Sequence, residues 1–187
     1  AAMAGRLAAQ GFEVTGFDVR PDAADGLAGI GVHPASDLVS LWPAADVVLL
    51  SLPLPEHVEQ VLTGTDGFVG RAAAGVRVID TSTSDPDVTQ RLAARLAEAG
   101  YGLVDAPVSG GPAGAAADTL ALMLGGSEAD IAAVQPVLAA LATSRATSAR
   151  AGPATPPSSS TTCCAPPRSC SRARRCGWGR PPARRSR

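Results

Sequence analysis

The stretch that most constrains the fold is an unbroken apolar run, ADVVLLSL, at residues 45–52. A strand with one wet face alternates apolar and polar side chains, so a continuous run is typical of a strand buried on both faces. Strand-like runs recur at residues 12–18, 76–80, 101–106 and 120–124. Segments with helical periodicity lie between them. This alternation predicts an α/β fold: a parallel sheet with helices on both faces.

The clearest helix signal is PDVTQRLAARLAEA at residues 86–99. Val88, Leu92 and Leu96 form one apolar stripe, and Ser84 and Asp85 are candidate caps before it. Gly100 follows, as a residue that ends a helix in the left-handed region should. Further helices are predicted over residues 1–10 (ended by Gly11), 56–62 and 128–141 (capped by Ser127).

The charge distribution divides the chain in two. All 17 acidic residues lie at or before Asp130, and all 16 basic residues are arginines. Six arginines in residues 1–144 give that part a net charge of −11, whereas ten arginines in residues 145–187 give +10. The second part is rich in Arg, Pro and Ser and poor in apolar residues, so it should be disordered. We therefore predict a domain over 1–144 and a disordered tail over 145–187.

Several classes of protein are disfavoured. No apolar run approaches the length of a bilayer span, since Pro53 and Pro55 close the best one. The first residues lack the pattern of a signal peptide, and since they do not start with Met the chain can be a fragment. All four cysteines lie in the tail without paired CxxC spacing, so no metal site is predicted. A cysteine-free domain suits a reducing cytosol, and we expect a cytoplasmic protein.

Ligands of open parallel sheets bind beyond the carboxyl ends of the strands. Asp18 ends the run FEVTGFD, where an acid can accept hydrogen bonds from an adenosine ribose and repel a 2′-phosphate. That position favours NAD over NADP, although nearby Arg20 weakens the preference; a solvated acid before a turn is the alternative. After the run YGLVDAPV come Ser109, Gly110 and Gly111, whose backbone amides could approach a carboxylate, although such a sequence is also common in plain turns.

Three stretches, in order, resemble one enzyme family. The stretches are SLPLPEHVEQVL at residues 51–62, VIDTSTSDP at 78–86 and DAPVSGG at 105–111. They are similar to segments of the β-hydroxyacid dehydrogenases, which include 3-hydroxyisobutyrate dehydrogenase and tartronate-semialdehyde reductase. That family is related to 6-phosphogluconate dehydrogenase. The resemblance covers about residues 1–144 and implies a Rossmann-like fold. It also implies an NAD(P)-dependent oxidoreductase that interconverts a small β-hydroxyacid and its semialdehyde.

The resemblance assigns roles by position. A small-molecule hydroxyacid or semialdehyde would be held at its carboxylate by the loop DAPVSGG, and the nicotinamide cofactor by the loops before it. His57, at an exposed helix start, has a simple solvated side chain as its alternative. Family members form homo-oligomers through a C-terminal domain that does not follow here. The implied contacts are Asp18 at the adenosine ribose; Leu52, Pro53 and His57 along the cofactor; Thr83 at the nicotinamide ribose; and Ser109, Gly110 and Gly111 at the substrate carboxylate.

The sequence also departs from the family. The family's first strand and its GxGxxG phosphate loop do not precede residues 1–10, and Asp118 stands where the family has Gly. The family's catalytic lysine, which moves the proton to and from the substrate oxygen, has no counterpart because the chain contains no lysine. We therefore assign no catalytic residue and expect this chain to be inactive. The alternative is a degenerate nucleotide-binding remnant.

The tail suggests an origin for these departures. PATPPSSSTTCC at residues 153–164 can be encoded so that the same bases, read from the third base, give GHAAKLVNNLL. That segment resembles the family's lysine helix, so we hypothesise that the tail is a frameshift product. The rival interpretation, that the arginine-rich tail with Trp178 binds nucleic acid, is less favoured because shifted GC-rich frames yield Arg, Pro and Ser.

Overall fold

The computed structural model describes residues 1–83, 85–117, 119–142 and 144–147. These residues belong to one unit, Ala1–Pro156. Ser84, Asp118, Thr143 and the tail from residue 148 onward, with its four cysteines and Trp178, lie outside the described residues. The predictions that fall on them are therefore not addressed by the fold.

A three-stranded parallel sheet forms the centre and confirms the α/β class. Its strands β3 (Val47–Leu50), β4 (Arg77–Asp80) and β5 (Gly102–Asp105) lie in that order. Leu50, Asp80 and Asp105 are register partners at the carboxyl ends. Parallel neighbours need crossover connections, which here include helices α3 (Pro55–Thr63) and α4 (Pro86–Glu98).

The first predicted strand, residues 12–18, is reduced to β1 (Thr15–Gly16), which pairs in parallel with β2 (His33–Pro34). The two strands form a sheet separate from the central one. Carbonyls of Val14 and Gly16 accept the amides of His33 and Ala35 at 2.8 Å each, so the ladder is short. Around it lie helices α1 (Ala2–Ala9) and α2 (Pro21–Asp25) and the 3₁₀ turns Ala28–Ile30 and Val39–Ala44.

The run at 120–124 lies in a third sheet and not in the central one. Its strand β7 (Ala121–Leu124) pairs antiparallel with β6 (Val108–Ser109) and parallel with β8 (Ser144–Thr147). Strand β8 thus includes residues 145–147, which follow the predicted boundary at residue 144. The short helix α5 (Gly111–Ala116) connects β6 to β7.

The helix predicted over residues 128–141 is wrong as a single element. It consists of α6 (Glu128–Ala133) and α7 (Gln135–Leu141), with Val134 between them. Pro136 explains the break, because proline has no amide hydrogen and its ring clashes with the carbonyl of the preceding turn. Proline is instead well suited to the first turn of α7.

Both faces of the central sheet are buried, as predicted. Ile79 and Val104 point into a cluster with residues of β7 and α7, whereas Val78 and Leu103 point into one with α3 and α4. The second cluster contains Trp42, Phe68 and Tyr101, whose rings contact in sequence at centroid distances of 5.7 and 4.6 Å. The Tyr101 hydroxyl donates to the Ala72 carbonyl at 2.9 Å, so the buried ring keeps its polar atom satisfied.

The predicted helix ends are confirmed where they are described. The Asp85 carboxylate accepts the Asp87 amide, and the Ser127 hydroxyl accepts the Asp130 amide. Gly11 and Gly100 have φ angles of 88° and 83° after α1 and α4. None of the helices within the described residues has the length and hydropathy needed to span a membrane. The same residues hold no group of three or more His, Cys, Asp or Glu side chains placed to bind a metal ion.

Candidate functional site

The carboxyl ends of β3, β4 and β5 bring three loops to one edge of the central sheet. Leu52 lies two residues after the end of β3, and Thr83 lies three residues after the end of β4. Ser109 ends β6, which follows β5 after a short link. The parallel register places these strand ends side by side, which is the edge where open sheets bind ligands.

Hydrogen bonds join the loops after β3 and β4. The Leu52 amide donates to the Ser82 hydroxyl at 2.9 Å. The Thr81 hydroxyl and amide both donate to the Leu50 carbonyl, at 2.6 and 2.9 Å. Thr81 and Ser82 are each 4% exposed, so these bonds are sheltered from water. The two loops therefore form one rigid strip along the edge of the sheet.

The side chains predicted to contact a cofactor along this strip are partly or fully exposed. Leu52 is half-buried, whereas Pro53, His57 and Thr83 are exposed. His57 lies in the first turn of α3, where its amide donates to the Leu54 carbonyl at 3.1 Å. The strip thus presents an accessible surface of apolar and polar side chains on a backbone that the hydrogen bonds of Thr81 and Ser82 hold in place.

Asp18 lies two residues beyond β1 and is already engaged by Arg20. The Arg20 amide and Nε donate to Asp18 Oδ1 at 2.9 and 3.1 Å, and Nη2 donates to Oδ2 at 3.1 Å. The hydrogen bond from the Arg20 side chain, followed by that from its amide, lowers the pKa of Asp18. The turn therefore holds an ionised acceptor and a cation at the same place.

The Ser109–Gly111 turn has the backbone that the sequence suggested. Gly110 and Gly111 have φ angles of 117° and 58°, in the region that favours glycine. A Cβ at Gly110 would also meet Gly114 Cα and the Leu120 side chain at 3.4 Å each. The turn can thus present bare backbone to a ligand, and all three residues are exposed.

Sequence reasoning missed a pair of buried carboxyls beneath this edge. Asp80 and Asp105, register partners on β4 and β5, are 2% and 8% exposed. Burial raises the pKa of both; with the negative charge of Asp80 as a second cause, the pKa of Asp105 rises to about 7. The available signal was an aspartate at the end of each apolar run, VRVID and YGLVDA.

Comparison with known proteins identifies the family. Residues 1–152 match the model for the NAD binding domain of 6-phosphogluconate dehydrogenase. A 3-hydroxyisobutyrate dehydrogenase from Pseudomonas aeruginosa is 39% identical over 136 residues, which are 73% of this chain and 46% of that protein. An NAD-dependent L-serine dehydrogenase from the same organism is 37% identical over 75% of this chain and 47% of its own length. The chain thus spans about half the length of these curated relatives.

A solved structure agrees with the sequence matches. The Mycobacterium tuberculosis 3-hydroxyisobutyrate dehydrogenase with L-serine superposes with a TM-score of 0.75 at 36% identity, over 82% of this chain and 52% of that one. Taken with the fold and the strip at the carboxyl edge, these matches show that the chain belongs to the family of 6-phosphogluconate dehydrogenase NAD-binding domains that includes the 3-hydroxyisobutyrate dehydrogenases.

Proposed function

We propose that this chain is the NAD(P)-binding part of an oxidoreductase that interconverts a small β-hydroxyacid and its semialdehyde. The observation that carries the proposal is the strip after β3 and β4, an accessible surface on a backbone joined by hydrogen bonds, at the edge where this fold binds nucleotides. In such an enzyme the bound nicotinamide supplies the hydride acceptor or donor. The chain's own residues would bind and orient it: Leu52, Pro53 and His57 along the cofactor and Thr83 at the nicotinamide ribose.

The residues proposed to bind the adenosine end of the cofactor suit either NAD or NADP. Asp18 supplies an ionised acceptor for the ribose hydroxyls, which favours NAD, while Arg20 on the same turn offsets the repulsion of a 2′-phosphate. Relatives use both cofactors. One is an NAD-dependent L-serine dehydrogenase, and Psf3, a structural neighbour at 28% identity, was solved with NADP⁺. We therefore propose both cofactors, with NAD slightly favoured.

The turn at Ser109 supports the proposed substrate class. Gly110 and Gly111 expose backbone that can approach a carboxylate closely, and the Ser109 hydroxyl adds a donor. The compounds in the relatives' names, 3-hydroxyisobutyrate, L-serine and 2-(hydroxymethyl)glutarate, share a hydroxymethyl group on the carbon beside a carboxylate. A small hydroxyacid of that type suits a turn that binds the carboxylate.

A second candidate is nucleotide binding without catalysis. The chain has no lysine, the residue that moves the proton in the family it resembles, so we expect no turnover from these 187 residues alone. No other side chain near the strip is assigned that role. Binding and turnover are therefore tested separately.

Binding is tested by titrating the ¹⁵N-labelled full chain with NADH and then with 3-hydroxyisobutyrate. We expect NADH to shift the amide signals of Leu52 and Thr83, and the hydroxyacid to shift those of Gly110 and Gly111. Gly75, at the opposite edge of the sheet, serves as the internal control. Absence of shifts at Leu52 and Thr83 at millimolar NADH would refute the nucleotide site.

Turnover is tested by following NADH absorbance with a panel of small semialdehydes. We expect none, and steady consumption above the protein-free rate would disprove the lysine argument while supporting the oxidoreductase. A complementary test joins this chain to the remainder of a longer relative that carries the lysine helix. Restored turnover there would favour the oxidoreductase over the remnant.

Three further expectations belong to this proposal. The cysteine-free domain suits the cytoplasm, which fractionation of the producing cell would test. The resemblance implies homo-oligomers formed through a C-terminal domain, and sedimentation of this chain would test whether its own residues associate. Nucleic-acid binding by the arginine-rich segment would show salt-dependent retention on duplex DNA, which we do not expect.

A further inference from the structure

Asp80 and Asp105 form a buried pair beneath the candidate site. They are register partners on adjacent parallel strands, so their side chains lie on the same face, about 5 Å apart at the backbone. Leu50 completes the row on β3, and Val78 and Leu103 lie two residues before them on that face. The pair thus closes the carboxyl end of an otherwise apolar layer.

The two carboxyls have unequal hydrogen bonding. Asp80 Oδ1 accepts the Ser82 amide at 2.9 Å. Asp105 is 8% exposed, and among the described residues its carboxyl makes no hydrogen bond. An ionised carboxylate in that position would lose its hydration without compensation, which is costly. A protonated carboxyl carries no charge and avoids most of this cost.

No cation in the described part of the chain faces Asp105. Helix α4 turns Thr89, Leu92 and Leu96 inward and keeps its charged residues exposed, and β7 carries no titratable side chain. Helix α3 buries Val58 and Leu62, and its titratable residues are all exposed: Glu56, His57 and Glu59. Helix α6 contributes Asp130, whose Oδ1 lies 2.5 Å from Arg77 Nε. That ion pair is beside Gly102, at the opposite end of the strands, about 10 Å away along β5. Asp80 is therefore the charged group that Asp105 meets.

We propose that the buried pair Asp80 and Asp105 keeps one proton in the folded chain and acts as a pH-sensitive latch on the loops of the candidate site. Burial favours retention of the proton, since it raises the pKa of both carboxyl groups and, together with the charge of Asp80, raises that of Asp105 to about 7. When the edge opens, the pair is hydrated, the proton leaves for solvent, and two carboxylates remain. The opened state is therefore favoured as pH rises.

The latch acts on the site through the backbone. Asp80 leads directly into Thr81 and Ser82, which hold the strip, and its carbonyl accepts the Ala106 amide at 2.7 Å. Asp105 pairs with Gly125 through both backbone bonds, at 2.9 and 2.8 Å. Opening at the pair thus loosens the loops after β4 and β5 together. The inference requires no nucleotide and does not depend on the proposed function.

The sign of the pH effect can be stated. The opened state has ordinary aspartate pKa values near 3.8, and the closed state keeps its proton up to about pH 7. Between these values the closed state binds more protons, so the opened population increases about tenfold per pH unit. Above about pH 7 both states are ionised and the population levels off.

The experiment follows ¹³C carboxyl shifts and amide exchange in the full chain without ligand. We expect Asp80 and Asp105 to titrate as a coupled pair, with one step near pH 7. After correction for intrinsic rates, the protection of Ser82 and Ala106 should fall about tenfold per unit from about pH 5 to about pH 7, then remain constant. Asp105→Asn, of nearly equal shape, should abolish that slope, whereas Asp46→Asn at an exposed position should keep it.

Two results would overturn the proposal. One is titration of both carboxyls below about pH 5, as for ordinary aspartates. The other is an Asp105→Asn chain whose amide protection still falls with the parental slope. If that variant does not fold, the carboxyl titration of the parent chain decides alone.

Discussion

The hydrogen bonds at Ser82 and Thr81 make the loops after β3 and β4 one unit, and removing them should separate those loops. Ser82→Ala deletes the acceptor of the Leu52 amide, which lies at 2.9 Å, and leaves that amide without its partner in a half-buried place. A lost bond that strands one polar group costs about 1–3 kcal/mol. Thr81→Val keeps the side-chain shape but removes the hydroxyl bond to the Leu50 carbonyl, which still receives the Thr81 amide. Its cost should be lower, about 1 kcal/mol.

The assay is urea denaturation of the single variants and the double variant, with amide exchange of Leu52 as the local readout. If the loops form one unit, the double variant should differ from the sum of the singles by about 0.5 kcal/mol or more. In Ser82→Ala, the Leu52 amide should lose at least about fivefold in protection, equivalent to about 1 kcal/mol. NADH binding should weaken in the same variant, because the strip that carries Leu52 and Thr83 is no longer fixed.

The matched control is Ser40→Ala, which removes an exposed serine hydroxyl that donates to the Asp37 carbonyl at 2.8 Å. Exposed substitutions of this kind change stability by about 0.5 kcal/mol or less. Additive energies, together with unchanged Leu52 protection in Ser82→Ala, would show that the loops move independently. The rigid strip, and the geometric argument for the nucleotide site, would then fail.

Three other variants test the remaining structure. Asp105→Asn should stabilise the chain at about pH 8 by up to about 4 kcal/mol relative to the parent and leave it nearly unchanged at about pH 4. The reason is that the pKa of Asp105 rises from 3.8 to about 7 on folding, so the parent chain loses stability as the pH rises between those values. Urea midpoints at both pH values check this, and a difference that does not change with pH would contradict it. Tyr101→Phe should cost about 1 kcal/mol in urea denaturation by removing the bond to Ala72, whereas no loss would show that the hydroxyl is equally satisfied by water. Gly102→Ala would place a Cβ against the Asp130 carboxylate and the Arg77 side chain, and it should lower the free energy of unfolding by about 1–3 kcal/mol. The control is Gly29→Ala, whose Cβ would meet nothing within 4 Å. Equal effects of the two substitutions would refute the steric argument.

The elements that the sequence located best are those specified by local signals. Helix α4 was predicted over 86–99 and extends from Pro86 to Glu98. The prediction was accurate because the apolar stripe lies inside the helix and its end signals, Asp85 and Gly100, lie next to it. The central strands fall within a few residues of their predicted bounds for a similar reason: an unbroken apolar run has to be buried on both faces.

The failures arise where a distant partner decides the structure. Residues 12–18 contain only two strand residues, because the length of β1 depends on pairing with β2, about 18 residues later. The run at 120–124 pairs with β6 and β8, and nothing in its own composition excludes the central sheet. Pro136 is an exception, since the signal that divides α6 from α7 was present in the sequence.

The site shows the same division. Which loops reach the carboxyl edge follows from strand order alone, and the positive φ angles at Gly110 and Gly111 follow from residue type. The pairing of Asp80 with Asp105 depends on register between strands that are about 25 residues apart, which no local pattern encodes.

The buried polar groups at the carboxyl edge have a common physical role. Thr81, Ser82 and Asp80 lie where the sheet ends. The neighbouring backbone groups no longer have partners on an adjacent strand and are still shielded from water. Side-chain hydroxyls and one carboxylate satisfy those amides and carbonyls, which fixes the loops without adding bulk above them. An apolar residue at Ser82 would leave the Leu52 amide without its partner, and one at Asp80 would do the same to the Ser82 amide. The edge can therefore be rigid and open at once, as a surface must be if it is to receive a flat cofactor without reorganising.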